Sequence, residues 1–119
     1  MNKTLLGALA LLLASQAASA DVAGNWKIEG DIGGMPVSIT CALQAEGAKL
    51  SGVCRNDEVG DLPITGQTSA DSASWTYDVN YQGQQFTVSY NGKLTSPTQL
   101  QGDIAVGGNP SGSFKGTKL

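Results

Sequence analysis

The chain has 119 residues, with seven basic and ten acidic side chains, two cysteines and no histidine. The acidic balance argues against a nucleic-acid partner, which needs a basic face, and against simple charge attraction to anionic lipid. Two sulfurs without histidine do not make an ordinary four-ligand structural zinc site, and a catalytic thiol would lack its usual base.

Residues 1–20 read as a cleaved secretory signal. Asn2 and Lys3 give a positive start, LLGALALLLA (5–14) is an unbroken apolar run, and Ala18-Ser19-Ala20 supplies the small-x-small cleavage site. The run is half of the roughly 20 apolar residues that a membrane span needs. The expectation is therefore a single exported domain over 21–119, periplasmic or secreted, without a membrane span. Without Lys3 it carries six basic against ten acidic residues, a net charge of −4.

From residue 24 onward the sequence alternates with period two and shows no helical period. Trp26, Ile28 and Ile32 share the apolar phase of a first strand. Met35, Val37, Ile39, Cys41 and Leu43 define a second, Leu50, Gly52 and Cys54 a third, and Leu62 and Ile64 a short fourth. The fifth is the clearest, with Trp75, Tyr77, Val79 and Tyr81 against Ser74, Thr76, Asp78 and Asn80. Phe86, Val88, Tyr90 and Leu94 mark the sixth; Leu100, Ile104 and Val106 the seventh; Phe114 the eighth.

Turn chemistry separates them, at Gly33-Gly34, Glu46–Lys49, Asp57–Gly60, Ala70–Ser72, Gln82-Gly83, Ser96–Thr98 and Gly107–Pro110. Asn91-Gly92 is a strong hairpin signal, yet Leu94 keeps the phase of Tyr90, so Gly92 is placed inside the sixth strand. The pattern predicts an all-β fold: a small up-and-down antiparallel barrel of about eight strands, closed so that no edge is left for aggregation. An open two-sheet sandwich would show the same alternation.

Export makes the even cysteine count a disulfide framework. A turn near Gly47-Ala48 sets Cys41 opposite Cys54 on the apolar face, close enough to bridge. A second regularity is apolar-x-Gly, in Leu50-Ser51-Gly52, Ile64-Thr65-Gly66, Tyr90-Asn91-Gly92, Leu100-Gln101-Gly102 and Phe114-Lys115-Gly116. Each glycine falls in the apolar phase, where a narrow, strongly coiled barrel uses it to relieve crowding.

Gly24-Asn25-Trp26 matches the G-x-W that opens the barrel in lipocalins and avidins, and the layout of an export signal and eight meandering strands resembles those calycin-type barrels. The resemblance implies a tryptophan at the barrel floor covered by a cation; Lys115 or Lys118 would take the place of the lipocalin arginine. In size and in its one disulfide the chain is also similar to exported bacterial inhibitors of serralysin-type metalloproteases. Only Asp21-Val22-Ala23 precede Gly24, however, where that family has a tail that enters the protease.

Trp26, Trp75, Tyr77, Phe86, Tyr90 and Phe114 are the candidate ligand-binding residues, because a barrel of this size is either filled or holds one small guest. Asp57, Glu58 and Asp61 suggest calcium by their oxygen chemistry, but they match no known loop motif and read as a solvated acidic turn. Glu29 and Asp31 read as a solvated outer face. No G-x-S-x-G or phosphate loop is present, so no enzyme activity and no cofactor are expected. The functional expectation is an exported binding protein, holding a small apolar or aromatic ligand inside the barrel. The alternative is a protein-interaction module, such as an inhibitor of an exported enzyme, with a filled core.

Overall fold

The computed structural model describes residues 21–119; the leader assigned to residues 1–20 lies outside them. Eight strands follow one another: β1 (Gly24–Ile32), β2 (Met35–Glu46), β3 (Lys49–Asn56), β4 (Gly60–Ser69), β5 (Ser72–Tyr81), β6 (Gln84–Ser96), β7 (Gln99–Val106) and β8 (Asn109–Lys118). Each pairs antiparallel with the next, and β8 returns to β1 from Trp26↔Lys118 to Ile32↔Gly112. That last ladder distinguishes a closed barrel from an open sandwich. Gly92 lies inside β6 opposite Gly102, so the Asn-Gly pair makes no turn.

The period-two pattern sorts the side chains as expected. Trp26, Ile28, Ile39, Leu43, Leu50, Ile64, Trp75, Tyr90, Leu100, Ile104 and Phe114 are buried in one core. The alternate positions, such as Glu29, Gln67, Asp78, Asn91 and Lys115, are exposed. A polar outer wall is the reverse of a lipid-facing barrel, which carries its apolar band outside.

Cys41 and Cys54 are directly opposed and joined, with their Cα atoms 3.9 Å apart. That spacing belongs to a non-hydrogen-bonded pair, the closer of the two antiparallel geometries. The glycines set the wall's curvature. A Cβ on Gly102 would lie 1.9 Å from the Asn91 carbonyl oxygen, and one on Gly66 would lie 2.0 Å from that of Ser74. At both points the neighbouring strand occupies the space a side chain would need.

The two ends of the barrel differ. At the end holding the β2–β3, β4–β5 and β6–β7 turns, Val22 folds inward and is 1% exposed. Its carbonyl accepts the Trp26 indole N–H at 2.8 Å. Lys118 Nζ stands 5.7 Å from the centre of the Trp26 ring, so Lys118 rather than Lys115 covers that tryptophan. Backbone bonds from Thr68 to Ala48, Leu94 to Asp71 and Lys118 to Thr98 lash neighbouring strands and hairpins together here.

Two outcomes test this frame. The disulfide closes a loop with a sequence separation of 13, so its reduction is expected to cost about 3 kcal/mol, read from denaturant unfolding with and without reductant. Gly102→Val is expected to cost more than about 3 kcal/mol, because the clash is with backbone that a rotamer change cannot relieve; near wild-type stability would refute the packing described.

Candidate functional site

Four of the six candidate rings meet in the middle of the barrel. Trp75 and Tyr90 face each other across the β5–β6 ladder and stack, with centroids 5.1 Å apart and planes 10° from parallel. Phe114, from the far wall, stands edge-on to both, at 5.8 Å from Trp75 and 5.2 Å from Tyr90. These offset and T-shaped arrangements are the ones that aromatic quadrupoles favour. Tyr77 joins from below, 5.6 Å from Tyr90.

The two phenols satisfy each other. The hydroxyls of Tyr77 and Tyr90 share a buried hydrogen bond of 2.6 Å. Burial is the main cause that holds both phenols above the ordinary tyrosine range; for Tyr90, the neighbouring Tyr77 adds to it through charge and hydrogen bond. The Trp75 indole N–H is buried and meets no acceptor among the described residues.

The remaining two candidates lie apart from this cluster. Trp26 belongs to the sealed end. Phe86, opposite Val79, lies toward the other end and is half-buried. The structure therefore brings Trp75, Tyr77, Tyr90 and Phe114 together, and it does not bring Trp26 or Phe86 to them.

Two open spaces lie on the outer wall. A groove of about 1170 Å³ crosses β4 to β8 and β1, lined by polar side chains such as Gln67, Ser74, Asn91, Lys93, Asp103 and Lys115. A notch of about 490 Å³ adjoins it over Thr65, Thr76 and Ser89. Neither is an interior chamber, and the rings fill the centre of the bore. Of the acidic turn, Asp61 pairs with Arg55 at 3.4 Å. Asn56 Oδ1 accepts the Glu58 and Val59 amides at 2.9 and 2.8 Å, which shapes the turn without using a carboxylate.

The end with the β1–β2, β3–β4, β5–β6 and β7–β8 turns is the mouth. The apolar phase runs past the filled centre here, leaving Ile32, Val37, Leu62, Val79, Phe86 and Val106 only half-buried. Beyond them Met35 is 69%, Tyr81 63% and Val59 43% exposed. Met35 and Tyr81 share the apolar phase of their strands, which points them inward without burying them. Their places beside the Gly33-Gly34 and Gln82-Gly83 turns were the signal that strand ends overhang the core.

No family model and no curated protein matches the chain. Its fold is similar to the solved structure of a redesigned beta barrel, with a TM-score of 0.55 over 82% of this chain and 91% of that one, at 17% sequence identity. At that identity the likeness shows architecture alone: an eight-stranded antiparallel closed barrel.

The tyrosine pair yields two measurable expectations. Tyr90→Phe leaves the Tyr77 hydroxyl buried without a partner and should cost about 1–3 kcal/mol, whereas Tyr77→Phe/Tyr90→Phe together should cost less than the two single changes added. An acid whose folded pKa is raised gives stability that is complete below its unfolded value and is lost as pH climbs above it. Unfolding free energy should thus fall above about pH 10, the unfolded tyrosine value, and fall less steeply in the double variant. A pH-independent difference between the two proteins would refute burial of the phenols.

Proposed function

We propose that the protein is a non-catalytic binding module that engages another exported protein through the mouth of the barrel. The observation that carries this reading is the asymmetry of exposed apolar surface. Three of the four exposed large apolar side chains, Met35, Val59 and Tyr81, stand around one end, backed by half-buried Leu62, Val79 and Phe86. The fourth, Leu119, stands alone at the other, where Val22, Trp26 and Lys118 close the bore. Exposed large apolar side chains gathered at one end of a barrel, unlike ones scattered singly, mark a surface on which something docks. The rings that would hold an internal guest instead hold one another.

One observation favours the reading of an internal ligand, and it is the unpartnered indole N–H of Trp75. A small guest with an acceptor would satisfy it, at the cost of separating rings already stacked.

The test compares immobilised 21–119 with its Met35→Ser/Val59→Ser/Tyr81→Ser variant against the exported protein fraction of the source cells. A partner held by the first and released by the second, with both equally stable, is the expected result. Equal capture by both, or none by either, would overturn the proposal. A native mass spectrum showing a reproducible small-molecule adduct that disappears in Trp75→Ala would transfer the function to the barrel interior.

A further inference from the structure

One seam in the wall is incomplete. β4 and β5 pair only from Thr65↔Thr76 to Ser69↔Ser72, so Gly60–Ile64 and Tyr77–Tyr81 leave each other unpaired up to the mouth. Every other ladder of the barrel is longer.

The direction of the backbone groups follows from alternation. Thr68 donates its amide to Ala48 on the β3 side, so the even residues of β4 bond to β3 while Asp61, Pro63 and Thr65 face β5. Leu94 donates to Asp71 on the β5 side. The even residues of β6 therefore face β5, so their partners Tyr77 and Val79 bond back to β6, and Asp78 and Asn80 face the seam. After Thr65↔Thr76, the next hydrogen-bonded pair would be Pro63 with Asp78. Proline has no amide to give, and the ladder stops there.

The edge left open on β5 is acidic. Asp78 is exposed, and Thr87 Oγ1 occupies one of its carboxylate oxygens at 2.7 Å. Continuing the register of Thr65↔Thr76 sets Asp61 across the seam from Asn80, one hydrogen-bonded pair beyond Pro63 and Asp78, with Asp57 and Glu58 in the adjoining turn; Arg55, the nearby base, is engaged with Asp61. The inward positions beside the seam, Leu62 and Val79, are apolar and half-buried.

We propose that this seam takes an extended basic segment of a partner protein as an added strand along β5, bonded to the backbone of Asp78 and Asn80. Alternate side chains of the segment face Leu62 and Val79, and the intervening ones are lysine or arginine beside Asp78 and Asp61. Main-chain bonds supply affinity and the alternation supplies specificity, as in other strand additions. A second copy of this chain is disfavoured, because it would set Asp78 against like charge. The inference rests on the reading that the mouth is the binding end.

The probe is a short synthetic peptide alternating valine and lysine, with a valine–glutamate peptide as control, and the readout is amide hydrogen exchange residue by residue. The lysine peptide is expected to slow exchange at Asp78 and Asn80 by about tenfold or more, and the glutamate peptide is expected to do nothing. Asp78→Lys should reverse that preference. Pro63→Thr restores the missing donor, so it should slow exchange at Asp78 without peptide and remove the peptide's effect. Unchanged exchange at saturating lysine peptide, equal effects of both peptides, or slowing that grows with protein concentration alone would overturn the proposal. Any of these would leave the capture test with the mouth variant standing. Peptide protection at the seam without capture would reject the surface-binding reading instead.

Discussion

A wall of eight strands encloses a bore only wide enough for side chains, and three of the largest in this chain, Trp75, Tyr90 and Phe114, are directed into one stretch of it. They fit because the positions facing them have no side chain. Gly66 lies opposite Trp75, Gly102 opposite Phe114, and a Cβ on Gly92 would meet the Phe114 ring at 2.8 Å. The repeated apolar-x-Gly pattern is thus one half of a size match whose other half is the aromatic set. Removing either half leaves a void or an overlap, and interiors packed at crystal density tolerate neither. The rest of the structure follows from that match: the rings fix the centre, and the overhangs of the strands become the two ends.

Those ends have different chemistry because the residues flanking β1 and β8, Val22 and Leu119, both lie at the same one. The segment before β1 is held inward by Val22 and by the indole bond of Trp26, and Leu119 donates its amide to Asn25 beside it. Among the described residues nothing equivalent covers the mouth. There the strands continue past the rings in the apolar phase, and Met35, Val59 and Tyr81 remain in solvent. The binding surface proposed for this end needs no pocket. It is the unsealed half of a core.

Much of this was legible in the sequence for a definite reason. Period-two alternation and glycine-rich turns act locally, so strand number, phase and the opposition of Cys41 and Cys54 could be read without any tertiary knowledge. The covering of Trp26 by Lys118 was half legible, because Lys115 and Lys118 are both near the C-terminus and only the β1–β8 register separates them. Exposure at the mouth was not legible. The phase of Met35 or Tyr81 says inward, but whether inward means buried depends on where the neighbouring strands stop. The seam left one unused sign: Pro63 in the middle of a strand marks a side of that strand without a ladder partner.

The seam also shows why an opening in the wall need not weaken it. The free edge of β4 is backed by a ladder to β3 running from Lys49↔Gln67 to Asn56↔Gly60, and β3 is in turn tied to β2 by the Cys41–Cys54 bridge. The free edge of β5 is backed by a ladder to β6 that runs its whole length, from Ser72↔Lys93 to Tyr81↔Gln84. Each edge is therefore held in strand geometry by its outer neighbour whether or not the gap is filled. An incoming strand meets backbone donors and acceptors already in place and loses only its own conformational freedom on binding. Preorganisation of this kind converts few hydrogen bonds into usable affinity, and it comes from the same closure that leaves the barrel interior full.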